Sequence, residues 1–454
     1  MPAPKPPAVE PITGPARGPA NEPADERAGE RAGERADERA RSGDAAPSAE
    51  AGPPSPSVAA LPPLQLKRGE DRRLRAGHLW VYSNEVDNAA TPLTAFAPGA
   101  QVRVLSDRGQ FLGTGYVNPH ALICARILSR SPVHPPDRSL VVHRLKIALA
   151  LRERHYAAPS YRLVHGESDG LPGLVLDRYG DVLVGQIATA GMEAMRADVE
   201  AAVQQVLAPS ALVWKNDGGA RELEQLPKQV ITGIGRAPDE LEVVEGVLQF
   251  RVPLASGQKT GWFYDQAANR ELFRRLLWPG VRVLDVCSYA GGWAVTAMRC
   301  GAREAICVDS SEAALGYAQR NAEANGVQVG VRRGDAFDVL DDLQKAGERF
   351  DVVVLDPPAF IKRRKDHARG AAAYRKLNQL AMRLLERDAL LVSCSCSWHL
   401  DSDELLGLVQ SAARHTSRFA QLLASGGQSP DHPVHPAIPE TRYLKAFFTR
   451  VTRE

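Results

Sequence analysis

The sequence predicts an α/β protein. Its C-terminal part reads as a doubly wound sheet. Ahead of that come an α+β middle segment, a small β-rich module and a disordered N-terminal tail. Three observations carry this. The stretch Val281–Asp309 reads V-R-V-L-D-V-C-S-Y-A-G-G-W-A-V-T-A-M-R-C-G-A-R-E-A-I-C-V-D. That is a strand (Val281–Asp285), a small-residue turn (Cys287–Gly292), a helix (Trp293–Cys300) and a second strand (Ala305–Val308), hence a βαβ unit. Apolar runs alternate with amphipathic stretches from there to the C-terminus, as parallel sheets require. The first sixty residues hold seven basic and ten acidic residues among prolines and alanines, with few large apolar side chains.

In chain order, residues 1–63 form the tail, where E-R-A-G-E-R-A-G-E-R-A-D-E-R-A (Glu26–Ala40) repeats with period four. Little there offsets the entropy of ordering it, so disorder is expected. Residues 64–133 alternate short strands with Gly and Asp-Arg-Gly turns: a strand at Leu64, a short helix ending near Gly77, then strands at Trp80, Gly99–Leu105, Phe111–Asn118 and Ile123–Leu128. Lys67, Arg68, Arg72, Arg73 and Arg75 cluster beside Trp80 and Tyr82. Such a cluster can meet phosphates while its aromatics stack on bases; the bland alternative is a solvated helix face over two core aromatics.

Residues 134–246 hold a helix (Val141–Tyr156), a pair of hairpins (Tyr161–Gly185), an amphipathic helix (Glu193–Leu207) and a strand (Ala211–Lys215). His165, Glu167, Asp169 and Asp177 raise a metal site. Acids in glycine-rich turns more often bond their own backbone, so no metal is expected. Residues 247–454 continue from a hairpin (Leu241–Phe263) into the sheet. Its helices are Glu312–Asn325, Tyr374–Leu385 and Asp403–Thr416. Its strands are Val327–Arg332, Phe350–Leu355, Ala389–Cys394, Gln421–Leu423 and Leu444–Thr449, the last antiparallel.

The net charge of +2 divides into −3 on the first sixty residues and +5 on the rest, compatible with an RNA partner. The six cysteines (Cys124, Cys287, Cys300, Cys307, Cys394 and Cys396) show no C-x-x-C spacing, which suits a reducing compartment. No apolar run reaches about 18 residues, so no membrane span is expected. The N-terminus has no apolar core after a basic start, so no secretory signal is expected either.

Ligands in wound sheets bind beyond the carboxyl ends of the strands. Asp285, Asp309, Asp335, Asp356 and Cys394 all fall at such ends. Asp309 lies about 20 residues past the turn, where a carboxylate holds a ribose. Asp335, in G-D-A-F, can accept from an adenine amino group. The turn is not G-x-G-x-x-G, which weakens a dinucleotide reading; D-V-C-S-Y-A-G-G is instead similar to S-adenosylmethionine turns. D-P-P-A-F (Asp356–Phe360) presents Asp356 rigidly ahead of two prolines that fix the backbone and cannot donate. It resembles the D-P-P-Y/F corner of amine methyltransferases, but Ala359 replaces their aromatic. Lys362, Arg363, Arg364 and Lys365 follow at once and suit a polyanion. S-C-S-C-S-W-H (Ser393–His399) offers a nucleophile, which pyrimidine C5 methylation needs, because that carbon must first be activated by addition at C6. The bland alternative is two buried, inert thiols.

With G-Q-K-T-G-W-F-Y-D-Q-A-A-N-R (Gly257–Arg270), L-D-V-C-S-Y-A-G-G, D-P-P-A-F, S-C-S-C-S, D-H-P (Asp431–Pro433) and Y-L-K (Tyr443–Lys445) in view, residues 64–454 resemble a known family. It is the PUA-domain-containing class I S-adenosylmethionine-dependent methyltransferases of 23S ribosomal RNA, which make 5-methylcytidine. The resemblance implies a PUA-like RNA-binding barrel at residues 64–133 and a Rossmann-like catalytic domain at residues 247–454. It implies S-adenosylmethionine as cofactor, large-subunit ribosomal RNA as partner, a cytoplasmic location and, as an open expectation, a homodimer. The expected cofactor-binding residues are Gln258, Lys259, Thr260, Asp265, Asn269, Arg270, Asp285, Ser288, Tyr289, Gly291, Asp309, Ser310, Asp335, Ala336 and Asp356. The expected catalytic residues are Cys394 first, then Cys396, with Asp356 fixing the base. The rival readings are guanine N7 methylation on the same domain, another S-adenosylmethionine enzyme acting on an amine, and an RNA-binding assembly factor without activity.

Overall fold

The computed structural model describes residues 57–453, so the repeat-bearing tail lies outside the described residues. The first module is a five-stranded sheet: β1 (Pro63–Gln65), β2 (Trp80–Tyr82), β3 (Ala100–Leu105), β4 (Phe111–Val117) and β5 (Ile123–Ser129), in the order β1-β3-β4-β5-β2. Helix α1 (Arg72–Arg75) turns the chain between β1 and β2. Alternation sends Leu64, Leu66, Val81, Val102, Val104, Cys124 and Ile127 into one core.

The middle module opens with α2 (Arg138–His155), capped by Asp137, whose carboxylate accepts from Leu140 N at 3.0 Å. A second five-stranded sheet follows. Its strands are β6 (Ser160–His165), β7 (Leu174–Tyr179), β8 (Val182–Ile187), β9 (Ala211–Asn216) and β10 (Gln229–Gly235), ordered β10-β9-β8-β7-β6. The expected single helix Glu193–Leu207 is two: α3 (Ala190–Ala194) and α4 (Arg196–Leu207). The break is tertiary. Gly191 lies flat on the Tyr116 ring, where a Cβ would fall 1.8 Å from the ring. Tyr116 and Thr189, the α3 cap, share a hydrogen bond of 2.9 Å. Helix α5 (Ala220–Leu223) and the edge strand β10 have no clear sequence signal and were not expected.

The hairpin β11 (Glu240–Glu245) and β12 (Leu248–Pro253) leads into α6 (Ala267–Leu276) and the large sheet. Its strands are β13 (Arg282–Val286), β14 (Glu304–Asp309), β15 (Gly330–Arg333), β16 (Phe350–Leu355), β17 (Leu385–Ser395), β18 (Arg418–Gly426) and β19 (Lys445–Arg453). The order is β15-β14-β13-β16-β17-β19-β18, and β19 runs antiparallel to both neighbours. Helices α7 (Gly292–Arg299), α8 (Glu312–Ala324), α9 (Ala336–Lys345), α10 (His367–Leu384) and α11 (Ser402–His415) cover the two faces. Val283, Leu284, Val352, Val353 and Val354 in β13 and β16 are fully buried, each contributing about 1.5–3 kcal/mol.

Two differences from the sequence reading bear on the site. Helix α9 carries no clear signal in the sequence; Asp335 is its N-cap, accepting from Phe337 N at 2.9 Å. Helix α10 begins at His367 rather than Tyr374, because its small first turns let Gly370 pack on Phe360 and Ile361. No helix among the described residues is long and apolar enough to cross a membrane.

Candidate active site

The carboxyl ends of β13, β14, β15 and β16 open into one crevice of ≈ 510 Å³. The turn after β13 shapes one wall. Cys287 and Tyr289 sit at φ 64° and 48°, a left-handed conformation costing about 1–2 kcal/mol at each non-glycine residue. The surroundings hold it there: Cys287 N and Ser288 N both donate to Val308 O (2.8 and 3.0 Å), and Tyr289 N donates to Asp309 Oδ2 at 2.9 Å. Gly291 is required twice over, by φ 82° and by a Cβ that would stand 2.9 Å from that of Ala318.

Two carboxylates are left incomplete. Asp285 is buried; Oδ2 accepts from Ala294 N at 3.1 Å, and Oδ1 has no partner among the described residues. Burial, followed by the negative charges of Asp356 and Asp309, pushes its pKa up to about 8. Asp265 Oδ2 accepts from the Tyr443 hydroxyl at 2.6 Å, while Oδ1 is unpartnered. Burial opposes its charge, but the Lys259 ammonium, His432 and the Tyr443 hydroxyl hold it below the ordinary value. A buried acceptor without a donor is costly. The Asp265 oxygen, on the crevice lining, fits a ligand carrying an ammonium or hydroxyl donor, as S-adenosylmethionine does.

Asp356 follows β16, at the floor. It accepts from Gln266 Nε2 (2.8 Å) and Trp293 Nε1 (3.1 Å), and burial lifts its pKa to about 6. Gln258, Lys259, Arg270, Ser288, Tyr289, Asp309, Ser310, Asp335 and Ala336 also line the crevice. Lys259, at φ 49°, sets its ammonium 4.9 Å from the Phe263 ring. Arg270 reaches the wall with its charge already matched by both Glu245 oxygens.

Thr260, Asn269 and Gly291, expected to bind cofactor, are absent from the lining. Thr260 is fully buried and donates to Asp177; Asn269 donates to Gln266 Oε1 at 2.6 Å and so orients the side chain that holds Asp356. Asp285 also stands behind the wall, bonded to the first turn of α7. The two thiols separate. Cys394 is inside β17 and packs in the apolar core, off the lining. The strand ends at Ser395, so Cys396 leaves the ladder and lines the crevice. Burial raises both thiols. For Cys396 the Lys259 ammonium acts in the opposite direction, while the Asp356 charge adds to the rise at both thiols.

The sequence reading missed Trp293, Phe337, Glu245 and, as a partner of Asp265, Tyr443. Trp293 directly after G-G was the one local signal: a large indole at a helix start otherwise built of small residues. The acids that raised a metal site are taken up elsewhere. Asp169 receives both Arg152 nitrogens (2.6 and 2.8 Å), Asp177 both Arg162 nitrogens (2.8 and 2.9 Å), and Glu167 the Trp80 indole at 2.9 Å. No cluster of three or more His, Cys, Asp or Glu able to hold a metal occurs among the described residues.

The front basic cluster is mixed. Arg73 pairs with the buried Glu85 and lies 4.8 Å from the Tyr82 ring centre; Arg75 bonds Asp71 and Gln110. Lys67 donates to Asn84 O, while Arg68 and Arg72 are exposed. Lys362, Arg363, Arg364 and Lys365 are exposed beside the crevice, with Arg363 bonded to Asp366.

Comparison with known proteins agrees with this architecture. Residues 64–130 match the PUA-like domain model, and residues 220–447 match the model of the S-adenosylmethionine-dependent methyltransferases. Ribosomal RNA large subunit methyltransferase I of Erwinia tasmaniensis is 35% identical over 398 residues, which are 86% of this chain and 99% of that protein. The protein of the same name from Salmonella arizonae is 33% identical, over 86% of this chain and 98% of its own. The crystal structure of SMU.776 complexed with SAH shares the fold, with TM-score 0.73 at 20% identity, covering 86% of this chain and all of that one. The chain therefore belongs to the PUA-containing, S-adenosylmethionine-dependent methyltransferase family that includes these relatives.

Proposed function

We propose that this methyltransferase acts on large-subunit ribosomal RNA, at cytosine C5, with Cys396 as the nucleophile. The observation that carries the reading is one side chain. Cys396 lines the same crevice as Asp356, Asp309 and Asp335, beside the positive Lys259. The names of the 33–35% identical relatives support the substrate class. Exposed Arg68 and Arg72, with residues 362–365, offer phosphate contacts.

S-adenosylmethionine, which Asp265, Asp309 and the Ser288–Tyr289 turn would hold, supplies an electrophilic methyl group when bound. The chain must make C5 nucleophilic. The Cys396 thiolate adds to C6, forming an Sγ–C6 bond and moving the ring's π pair onto C5. Once C5 is methylated, it must lose its proton. Asp356 can accept that proton near neutral pH, held in place by Gln266 and Trp293. The double bond re-forms and the thiolate leaves. The target base must first be unstacked, which costs a few kcal/mol.

Cys396→Ala is expected to lower transfer of labelled methyl to ribosomal RNA by about 10³-fold or more. Cys394→Ala is expected to keep turnover within about tenfold, since that thiol is core. RNA carrying 5-fluorocytosine should form a stable covalent complex with the wild type and none with Cys396→Ala. Full activity in both cysteine variants would move the reading to guanine N7, whose lone pair needs no thiol. No transfer by the wild type would leave the assembly-factor reading.

A further inference from the structure

We propose that the middle module is a positioning device for this chemistry. Asp177 and Tyr179 on β7 and Lys215 on β9 clamp the loop of residues 257–262, so that its Lys259 stands beside Cys396. The inference rests on the thiol reading above.

The grip is nearly continuous. Lys215 Nζ donates to Gly257 O. The Thr260 hydroxyl donates to Asp177, itself held by the Arg162 fork. Tyr179 uses its hydroxyl twice, donating to Thr260 O at 3.3 Å and accepting from Trp262 N at 3.0 Å. From the catalytic side, the Tyr289 hydroxyl donates to Gly261 O at 2.8 Å. The flanking glycines admit no side chain. A Cβ on Gly257 would lie 2.2 Å from Pro253 O; one on Gly261, at φ +134°, would lie 3.0 Å from the Tyr179 oxygen. Only Gln258 and Lys259 are left exposed, and both line the crevice.

Two features argue for function beyond stability. Lys259 is left-handed at φ 49°, a conformation a lysine keeps only where its surroundings impose it. Lys215 is 1% exposed and gives its ammonium to one carbonyl of another module. An apolar residue would fill that space with less desolvation. These polar groups converge on a loop that enters the apolar core only through Trp262, and the one cation it brings to the crevice is Lys259. The charged or titratable groups facing the Cys396 thiol are Lys259, Asp265, Asp356, Tyr374, Cys394, Tyr443 and Lys445. Of these, Lys259 depends on the clamp for its position.

The test follows alkylation of Cys396 by iodoacetamide against pH, read peptide by peptide on the full chain. Lys259→Met should slow alkylation at pH 7.5 by about three- to ten-fold and move the profile to higher pH. Tyr179→Phe, which removes both loop hydrogen bonds, should move it the same way. Lys215→Met serves as the second clamp variant should Tyr179→Phe fold poorly. In the double variant Tyr179→Phe/Lys259→Met, the tyrosine change should add nothing, because its effect runs through Lys259. A lowered melting temperature with an unmoved alkylation profile would overturn the proposal, as would additive effects in the double variant. The readout needs no turnover. Failure of the thiol mechanism would show separately, as retained activity in Cys396→Ala.

Discussion

The middle module and the catalytic crevice treat the same residue type in opposite ways. Asp169 and Asp177 are each met by a guanidinium fork, from Arg152 and Arg162, and their charge is spent inside the protein. Asp285 and Asp265, one sheet away and as deeply buried, each keep an oxygen without a donor. Burial alone does not distinguish them. Completeness does: Asp169 and Asp177 are satisfied within the scaffold, whereas Asp265, on the crevice lining, keeps an oxygen open to a donor.

The contrast is broken most severely from the scaffold side. Asp169→Ala leaves Arg152 buried and uncompensated, and is expected to cost about 3–5 kcal/mol in chemical denaturation. Asp285→Asn should cost under about 1 kcal/mol near pH 6, where the wild-type carboxyl is already neutral. Equal losses of stability in the two variants would erase the distinction.

A pH titration sharpens it. Asp285 titrates near 8 and Asp356 near 6, both above the ordinary 3.8. Between the ordinary value and these, the folded state keeps protons that the unfolded chain has released. The contribution is complete below pH 4 and is lost as pH rises through 6 and 8. The free protein's melting temperature should therefore fall over that window, and Asp285→Asn should flatten the upper part of the fall. An unchanged slope would mean that Asp285 is already ionised.

The smallest effect lies on the front module. Arg68→Ala and Arg72→Ala should weaken RNA binding and reduce its salt slope by about one each, with S-adenosylmethionine binding unchanged. Arg73→Ala should instead lower stability, because it strips the partner from buried Glu85.

Much of this was legible in one dimension. Apolar runs marked β13, β14 and β16, and acids at their ends marked the crevice, because parallel strands in a covered sheet have no other residue pattern open to them. Asp335 shows the limit of that reading. Its place at a strand end was readable, but its work as the cap of α9 was not, since that helix carried no expectation.

The sequence by itself determined the class of fold, the cofactor crevice and the list of side chains able to serve it, since periodicity and strand-end chemistry are local. Only the tertiary structure decided which of them face the crevice. Where β17 stops separates Cys396 from Cys394. Contacts from β7 and β9, some 80 and 40 residues away in the chain, decide that Thr260 is taken up by the scaffold while Lys259 lines the crevice. Such choices depend on where separate elements meet, and no stretch of sequence contains that information.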